Sequence, residues 1–324
     1  MTARPESPLR VLVTGASGYI GRLLVLELGA RLAEGRLGAV VAADIREPSA
    51  RSLPRGVLFL RHDVRDDGLA RALTHHAISC VVHLASIVTP PKGSTREFEY
   101  AVDVGGTNLV LEACVVAGVQ RIVVTSSGAA YGYHADHPAW ITEDTPVRGN
   151  EAFAYSWHKR LVEEMLAEYR VTHPALKQVV FRLGTILGST VDNQITALFR
   201  KPRLLAIRGS DSPFVFVHDR DVVACLVRAI DSPVTGIFNV AGDGALTIDE
   251  IGALLEKPVV HLPARFLRLL LAVLRPLGLT RYGPEQVDFL RYRPVLDNTR
   301  LKQQFGYTPA LGSRAVFLLW RDAR

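Results

Sequence analysis

Two short motifs in this chain carry residues that could do hydride chemistry together. Tyr155 and Lys159 are four residues apart, so on a helix both side chains project from one face. A free tyrosine, with a pKa of about 10, is a poor base at neutral pH, and a neighbouring ammonium group favours its phenolate form. The glycine-rich segment Thr14–Gly21 can hold the diphosphate of a dinucleotide. Each motif alone is weak, but together they predict oxidation of an alcohol or reduction of a ketone.

The apolar pattern of the chain predicts the fold that would position these motifs. Short, nearly continuous apolar runs alternate with stretches of helical periodicity through the first two-thirds of the chain. Such runs are typical of strands buried on both faces, so we expect an α/β fold with a doubly wound parallel sheet, a Rossmann fold. The predicted strands are Arg10–Thr14, Ala39–Asp44, Val57–His62, Cys80–Ala85, Arg121–Ser126 and Gln178–Arg182. The predicted helices are Tyr19–Ala33, Asp66–His75, Arg96–Ala117 and Glu151–His173.

The regular alternation ends near residue 189. Helical and irregular segments follow, interrupted by two strand-like runs, Phe214–Val217 and Gly236–Val240. We therefore expect a dinucleotide-binding Rossmann domain of residues 1–188 with 214–242. A small, interwoven C-terminal substrate domain would comprise residues 189–213 with 243–324.

The small domain is expected to form a lid over the substrate. Its segments Ala197–Ile207, Pro213–Phe216 and Leu262–Leu274 are rich in leucine and phenylalanine and poor in the residues that bind sugar hydroxyls. Ligand pockets are mostly apolar with a few placed polar groups, so this composition favours a fairly apolar substrate. The same apolar residues would equally suit the core of the small domain.

Composition and charge narrow the class of protein. The 324 residues are 48% apolar and 22% charged, with a net charge of +6 and scattered arginines. We therefore expect a soluble protein that acts on a small molecule and binds no nucleic acid. The most apolar stretch, Phe266–Leu279, is interrupted by two arginines and a proline, so we predict no membrane span.

Cysteine usage and the N-terminus favour the cytoplasm. The chain has three cysteines, Cys80, Cys114 and Cys225. They form no CxxC pair, which is typical of buried free thiols in a reducing compartment. The first eight residues are polar and lack the apolar core of a signal peptide. The loop residues His134, Asp136 and His137 lack a further ligand at metal spacing, so we expect a substrate-loop or surface role and no metal.

The glycine-rich motif lies between a predicted strand and a predicted helix, the context in which it binds a dinucleotide. Its glycines are Gly15, Gly18 and Gly21. Asp44 ends the second predicted strand, where a carboxylate accepts from ribose hydroxyls and repels a 2′-phosphate, so NAD is the predicted cofactor. Arg46 keeps NADP possible, because an arginine could neutralise that phosphate. Asp63 and Val64 could contact the adenine, although Asp63 could instead cap a helix.

A candidate proton donor follows the fifth predicted strand. Ser127 lies at the carboxyl end of that strand, where open α/β sheets bind ligands. Its hydroxyl could donate to the substrate oxygen while Tyr155 takes or gives the proton, and Lys159 could also bond the nicotinamide ribose. Serines at strand ends also form turns, so Ser127 is persuasive only beside Tyr155 and Lys159.

From about Val11 to Pro309 the chain resembles the extended short-chain dehydrogenases/reductases, the NAD-dependent epimerase/dehydratase family. The motifs that carry the resemblance are Thr14–Gly21, Asp44, Asp63–Val64, His83–Ser86, Val104–Asn108, Val124–Gly132, Ile141–Pro146, Tyr155–Lys159, Arg182–Gly188, Val217–Val222, Asp297–Arg300 and Phe305–Pro309. The resemblance implies NAD as the cofactor and Ser127, Tyr155 and Lys159 as the catalytic residues. The residues that it implies at the cofactor are Gly15, Ser17, Gly18, Tyr19, Ile20, Gly21, Asp44, Asp63, Val64, Leu84, Ala85, Ser86, Tyr155 and Lys159.

Some residues of this chain depart from the family pattern, and these departures indicate which of the family's reactions are disfavoured. Sugar-nucleotide dehydratases carry an Asp-Glu pair where this chain has Gly128 and Ala129, so elimination is disfavoured. UDP-hexose epimerases commonly place an asparagine where Thr185 stands and an arginine near Phe214, and both are missing. Asp103 replaces an asparagine that is common in the family, which puts that local contact in doubt.

The leading hypothesis is an NAD(P)-dependent oxidoreductase that transfers hydride to or from a secondary alcohol or ketone. The alternatives are an NAD-dependent nucleotide-sugar epimerase and a non-catalytic cofactor-sensing protein. We also expect a homodimer packed through Arg96–Ala117 and Glu151–His173, because residues 108–118 are apolar all round. The family resemblance implies the same arrangement.

Overall fold

Eleven strands and eleven α-helices make up the part of the chain that the computed structural model describes, residues 8–49, 52–91, 93–280 and 283–324. The strands are β1 (Arg10–Thr14), β2 (Ala39–Asp44), β3 (Leu58–Arg61), β4 (Cys80–His83), β5 (Arg121–Ser127), β6 (Lys177–Leu183), β7 (Thr185–Leu187), β8 (Leu204–Ile207), β9 (Phe216–His218), β10 (Gly236–Val240) and β11 (Val259–Leu262). The helices are α1 (Tyr19–Ala33), α2 (Leu69–His75), α3 (Arg96–Tyr100), α4 (Gly106–Val116), α5 (Ala154–Thr172), α6 (Gln194–Phe199), α7 (Asp219–Asp231), α8 (Ile248–Leu254), α9 (Ala264–Leu274), α10 (Gln286–Arg291) and α11 (Ser313–Asp322). A 3₁₀ turn covers Gly128–Tyr131, and π-helical turns cover Ala101–Gly105 and Leu301–Phe305.

Seven strands form one sheet in the order β10-β6-β5-β4-β1-β2-β3. Strand β1 pairs in parallel with β2 and with β4, and the pairs β2–β3 and β4–β5 are also parallel. Every residue of β2 and β4 is buried, as expected for apolar strands covered on both faces. The predicted doubly wound α/β fold is confirmed, and its topological switch point lies between β1 and β4.

The predicted limits hold where the apolar pattern is continuous, as in β1, α1 and β2. The prediction of one unbroken helix over Arg96–Ala117 is wrong, because the π-helical turn at Ala101–Gly105 divides it into α3 and α4. Such a turn adds a residue to a helix without changing its apolar character, so periodicity does not reveal it. Helices α2 and α5 begin three residues later than predicted.

The chain divides into two compact units. The first comprises Met1–Ser126, His158–Arg182 and Arg220–Phe238, and the second comprises Ser127–Trp157, Leu183–Asp219 and Asn239–Arg324. The domain limits expected from the sequence stay a prediction, because a compact unit and an independently stable domain are different properties.

An aromatic core fills part of the second unit. The rings of Phe199, Phe214 and Phe216 lie with their centroids 5.2–6.1 Å apart. These three side chains are at most 2% exposed. The phenylalanines of the first two predicted lid segments are therefore core residues, which is the alternative that the composition left open.

Helix α9, in the third predicted lid segment, has an exposed apolar face. Phe266 and Leu269 are 53% and 66% exposed, whereas Leu267 is buried against Ile207 and Val287. No helix within the described ranges, α9 included, is long and apolar enough to cross a membrane.

A buried ion pair joins α5 to the sheet within the first unit. The Glu163 carboxylate accepts hydrogen bonds from the Arg182 guanidinium on β6 at 2.6–3.0 Å and from Ser126 Oγ on β5 at 2.5 Å. The side chains of Glu163 and Arg182 are 3% and 5% exposed. The pair therefore fixes α5 against two neighbouring strands.

We expect Glu163→Ala to lower the free energy of unfolding by about 3–5 kcal/mol, because it leaves the Arg182 guanidinium buried without its carboxylate. Glu164→Ala is the matched control, since Glu164 is 47% exposed and pairs with Arg160 one turn away. That change should cost less than about 0.5 kcal/mol. Urea denaturation followed by circular dichroism measures both variants, and equal losses would contradict a special contribution from the buried pair.

Candidate active site

Three glycines shape the turn between β1 and α1 in the first unit. Gly15 has a φ of +67°, and a Cβ there would lie 2.6 Å from the backbone nitrogen of Ala85. A Cβ on Gly21 would lie 2.2 Å from the carbonyl oxygen of Gly15. Among the described residues no side chain caps α1, which begins directly after Gly18. A helix N-terminus that directly follows such a turn is suited to bind a phosphate group.

The Asp44 carboxylate supports the glycine-rich turn from the end of β2. Its Oδ2 accepts from the backbone nitrogen of Ser17 and its Oδ1 accepts from that of Arg46, both at 2.9 Å. The Arg46 Nε also lies 3.8 Å from Asp44 Oδ1. Because a carboxylate oxygen accepts more than one hydrogen bond, Asp44 can hold the turn and still accept from a ribose hydroxyl. Tyr19 and Ile20 form the first turn of α1 and are half-buried.

The buried side chain of His83 on β4 contacts Thr14 on β1. The sequence predicted no role for His83 beyond its place in the family motif His83–Ser86. His83 Nδ1 lies 2.7 Å from Thr14 Oγ1, and Nε2 lies 3.0 Å from Thr107 Oγ1. Thr107 donates its hydroxyl proton to the Asp103 carbonyl. Nε2 must then donate to Thr107 while Nδ1 accepts from Thr14. Burial, with the nearby Lys159 ammonium, lowers the pKa of His83 to about 3, so this imidazole is neutral.

The loop after β4 lies against the glycine-rich turn. Atoms of Leu84 and Ala85 are the closest to a Cβ placed on Gly15. Ser86 Oγ donates to Asp103 Oδ1 at 2.9 Å. The predicted cofactor residues Leu84 and Ala85 thus adjoin the turn at the switch point of the sheet, where open α/β sheets bind ligands.

Lys159 is buried in the first unit and is 6% exposed. Its Nζ donates to the Thr125 carbonyl on β5 at 3.0 Å. Burial lowers the pKa of the Lys159 ammonium, while the carboxylates of Asp103 and Glu163 raise it. The two carboxylates therefore oppose the loss of charge that burial favours.

Asp63 and Val64 have partners of their own in the first unit. The Asp63 carboxylate accepts from the Arg65 guanidinium at 2.6–3.1 Å, and this hydrogen bonding lowers the pKa of Asp63. The alternative that Asp63 caps a helix is wrong, because α2 begins only at Leu69. Val64 is buried beside Gly106, where a Cβ would lie 2.7 Å from Val64 Cγ2. Contact of Asp63 and Val64 with a cofactor stays a prediction.

In the second unit, Ser127 ends β5 and precedes the 3₁₀ turn Gly128–Tyr131. Its Oγ accepts a hydrogen bond from the backbone nitrogen of Ala129 at 3.1 Å, which is the turn-forming role expected of a strand-end serine. A hydroxyl that accepts can also donate, so Ser127 keeps a proton to offer a ligand.

Tyr155 is the second residue of α5, one helical turn before Lys159. The following residue, Ser156, is 1% exposed. The sequence predicted no separate role for it. Ser156 Oγ donates to the Ala129 carbonyl at 2.7 Å and accepts from the Asn150 backbone nitrogen at 3.1 Å. These bonds fix the start of α5 against the turn after β5 within the second unit.

A second tyrosine, Tyr133, and a half-buried cation, Arg293, interact electrostatically in the second unit, and Tyr155 interacts with Tyr133. Burial raises the pKa of Tyr133 well above its usual range, Tyr155 raises it further and Arg293 lowers it. The Arg293 guanidinium lies 3.9 Å from the Phe214 ring centroid and donates to the Ser212 carbonyl at 2.8 Å. Burial lowers the pKa of Arg293 to about 9. Sequence spacing does not reveal this cluster, because its members come from distant segments.

The side chains of His134, Asp136 and His137 form hydrogen bonds with nearby residues between positions 132 and 149. His134 and His137 contact the carbonyls of Gly149 and Gly132 at 3.0 and 3.1 Å. A hydrogen bond from the Arg148 guanidinium lowers the pKa of Asp136 to about 2. Among the described residues, no three histidine, cysteine, aspartate or glutamate side chains lie together in a way that could hold a metal ion.

The first unit has the groups that a dinucleotide needs. A close-packed glycine-rich turn leads into an uncapped helix, a carboxylate ends the adjacent strand, and an ammonium group is buried near the end of β5. The second unit has two hydroxyl groups suited to proton transfer, those of Ser127 and Tyr155. The residues present therefore fit an NAD-type cofactor and acid–base chemistry at an alcohol or ketone.

Comparison with known proteins agrees with this chemistry. Residues 11–241 match the model of the NAD dependent epimerase/dehydratase family. An uncharacterized protein of Mycobacterium tuberculosis is 28% identical over 309 residues, which cover 94% of this chain and 81% of that relative. A UDP-glucose 4-epimerase of Erwinia amylovora is 30% identical over 196 residues, 58% of this chain and 56% of that enzyme.

Solved structures show the same fold. The UDP-glucose 4-epimerase of Thermus thermophilus, crystallised with NAD, superposes with a TM-score of 0.72 at 25% identity. The match covers 97% of this chain and 98% of that enzyme.

Proposed function

Because this chain belongs to the NAD dependent epimerase/dehydratase family, we propose that it transfers hydride between NAD and a secondary alcohol or ketone. The membership confirms the family resemblance found in the sequence, and the family is one of NAD-dependent enzymes. The observation that carries the catalytic proposal is the placement of Tyr155 one turn before the buried Lys159 on α5.

NAD would be held mainly by the first unit. The N-terminus of α1, which directly follows the glycine-rich turn, suits the diphosphate, and Asp44 suits the adenosine ribose. Leu84, Ala85 and Ser86 would line the cofactor beyond the switch point. When bound, NAD supplies the hydride acceptor, and NADH supplies the donor. Arg46 lies close enough to Asp44 to leave NADP as a weaker alternative.

Transfer of the substrate hydroxyl proton would involve three side chains, those of Tyr155, Lys159 and Ser127. The phenolate of Tyr155 takes the proton of a substrate hydroxyl during oxidation, and the phenol returns it during reduction. The Lys159 ammonium projects from the same helix face as Tyr155, so its positive charge favours the phenolate. The same ammonium would donate a hydrogen bond to the nicotinamide ribose. The Ser127 hydroxyl donates a hydrogen bond to the substrate oxygen and so orients that oxygen toward Tyr155.

A second candidate function is epimerisation of a nucleotide sugar. It is favoured by the likeness to the UDP-glucose 4-epimerases of Erwinia amylovora and Thermus thermophilus. Oxidation and reduction at one carbon would then alternate without net change in NADH. The phenylalanines Phe199, Phe214 and Phe216 are buried, so they lend no support to an apolar substrate over a sugar nucleotide.

Two further features belong to this proposal. We propose that the protein is cytoplasmic, because its cysteines Cys80, Cys114 and Cys225 are buried free thiols.

We also propose a homodimer packed through α3, α4 and α5. Phe98 and Tyr100 on α3 and Val116 on α4 are 38%, 47% and 77% exposed, and exposed apolar side chains on these helices suit such an interface.

We expect Tyr155→Phe to lower kcat by roughly 10²-fold or more and to leave the Kd for NAD nearly unchanged, because only the acid–base group is lost. Lys159→Ala should impair both kcat and NAD binding. The matched control is Tyr169→Phe on the same helix, which should change neither quantity.

The measurement uses NADH absorbance with a panel of hydrophobic secondary alcohols and ketones, and product analysis with UDP-glucose and UDP-galactose. Net NADH change with an alcohol or ketone supports the oxidoreductase, whereas sugar interconversion without net NADH change supports the epimerase. Near-normal turnover by Tyr155→Phe on an accepted substrate would refute the proposed mechanism.

For the dimer, light scattering at micromolar protein should give about 71 kDa, twice the chain mass of 35.5 kDa. Val116→Glu should shift the protein toward monomer, because a charge in an apolar interface is left unpaired. Leu26→Glu on α1, where Leu26 is 52% exposed, is the matched control and should stay dimeric. A monomer mass for the unaltered chain would rule the dimer out.

A further inference from the structure

Helix α9 of the second unit is apolar on two sides. Its inner side chains, among them Leu267 and Leu271, pack with Ile207 and Val287 in the core of that unit. The outer side, at spacings of three, four and seven residues, is formed by Phe266, Leu269, Leu270 and Val273. Each of these four side chains is at least 37% exposed. A helix that covers a core ordinarily has a polar outer side, so the outer side of α9 is suited to contact something other than water.

The exposed apolar surface continues past the end of α9. Leu277 and Leu279 are 65% and 70% exposed. Single exposed apolar side chains are common on proteins, but a group of them marks a site of interaction with a protein or a membrane. We call this group the α9 face, and its members are Phe266, Leu269, Leu270, Val273, Leu277 and Leu279.

Positive charge is concentrated in the segment that contains the α9 face. Residues 262–293 include six arginines, two carboxylates and no lysine, which gives this segment +4 of the chain's net charge of +6. The two carboxylates, Glu285 and Asp288, each pair with an arginine of the same segment, so the net charge belongs to the other arginines. Arg265 is exposed and lies one helical turn before Leu269, next to the α9 face.

This charge makes a second copy of the chain a poor occupant of the α9 face. A two-fold contact places the same surface of both copies together, so the arginines around one α9 face would meet those around the other. Like charges that are brought together in this way oppose association. The positive charge instead suits a partner with a negative surface and an apolar interior.

An anionic phospholipid bilayer has both properties. Helices with leucine and phenylalanine on one side and arginine beside them lie in the membrane interface, with their apolar side chains among the acyl chains. Arginine side chains reach the charged surface while their carbon stems stay in contact with apolar groups. Clustered arginines next to such a helix are also attracted to anionic lipids.

We propose that the α9 face binds the surface of an anionic phospholipid bilayer, with α9 lying parallel to the membrane plane and Arg265 contacting lipid phosphates. The chain is then a peripheral membrane protein that associates through one helix of its second unit. The proposal is independent of the reaction that the chain catalyses, because the α9 face includes none of the residues proposed to bind NAD or to transfer the proton.

The apolar contact is tested by co-sedimentation of the full chain with vesicles of phosphatidylglycerol and phosphatidylcholine in equal parts. The unaltered protein should bind these vesicles. Leu269→Glu should lower the vesicle affinity about 10-fold or more, because it places a carboxylate against acyl chains and anionic lipid. Leu269 is exposed, so the fold is retained. Leu26→Glu on α1, also at an exposed leucine, is the matched control and should bind like the unaltered protein.

Two results of these measurements overturn the proposal. The first is that the unaltered protein does not bind the vesicles, or that both variants lose affinity equally. The second is that Leu269→Glu has a lower mass than the unaltered protein in light scattering without vesicles, because the α9 face would then join two copies of the chain.

The charge is tested at Arg265 with the same vesicles. Arg265→Gln should lower the vesicle affinity about 5-fold, because an arginine near an anionic surface is attracted to the lipid. Arg71→Gln removes the same charge at an exposed position of α2 and should leave the affinity unchanged. Vesicles of phosphatidylcholine alone should bind the unaltered protein about 10-fold more weakly or less. Equal binding to both kinds of vesicle overturns the choice of an anionic surface.

Insertion of the α9 face is tested without adding a charge. Leu269→Cys is labelled with an environment-sensitive fluorophore, which the buried cysteines of the chain leave selective for position 269. The mixed vesicles should raise its emission several-fold and shift it to shorter wavelengths, because the fluorophore enters the acyl region. Leu26→Cys with the same label should show no change. Unchanged emission at position 269 on vesicle-bound protein would mean that another surface makes the contact, and it would overturn the proposal.

Discussion

Burial of the Lys159 ammonium is the constraint on which much of the first unit depends. Removing this group from water disfavours its charge, and nearby carboxylates must offset that effect. Glu163 is one of them, and its own charge is balanced by Arg182, whose bonds attach α5 to β6. Asp103 is the other, and its remaining bonds hold the loop after β4. The two carboxylates that favour the ammonium form of Lys159 are therefore also bonded to the surrounding elements.

Helix α5 carries this electrostatic arrangement to the proposed base. Tyr155 and Lys159 share the helix, so their separation is set by helical geometry rather than by tertiary contacts. Ser156 fixes the first turn of the helix within the second unit, and Glu163 fixes its middle within the first. Each of these contacts is described within its own unit, and each fixes the part of α5 that belongs to that unit.

Local patterns allowed the fold and the glycine-rich turn to be predicted, and tertiary pairing explains what was missed. The limits of β1, α1 and β2 follow from continuous apolar runs, and Asp44 could be placed because it ends such a run. The π-helical turn around Asp103 leaves no trace in periodicity. The bonds of His83 to Thr14 and Thr107, and of Glu163 to Arg182, join residues from separate elements, so no spacing reveals them. Apolar composition could not distinguish lid from core, and Phe199, Phe214 and Phe216 proved to be core.

We propose above all that the glycine-rich turn and Asp44 bind NAD in preference to NADP. Thermal unfolding of the purified protein with NAD, NADP or a UDP-sugar tests it most directly, because a ligand of the native state adds stability by mass action. At about 100 times its Kd, NAD should add about 2.7 kcal/mol, and NADP at the same concentration should add less because the Asp44 carboxylate repels its 2′-phosphate. An unchanged Tm with NAD, or a larger rise with NADP, would contradict the account.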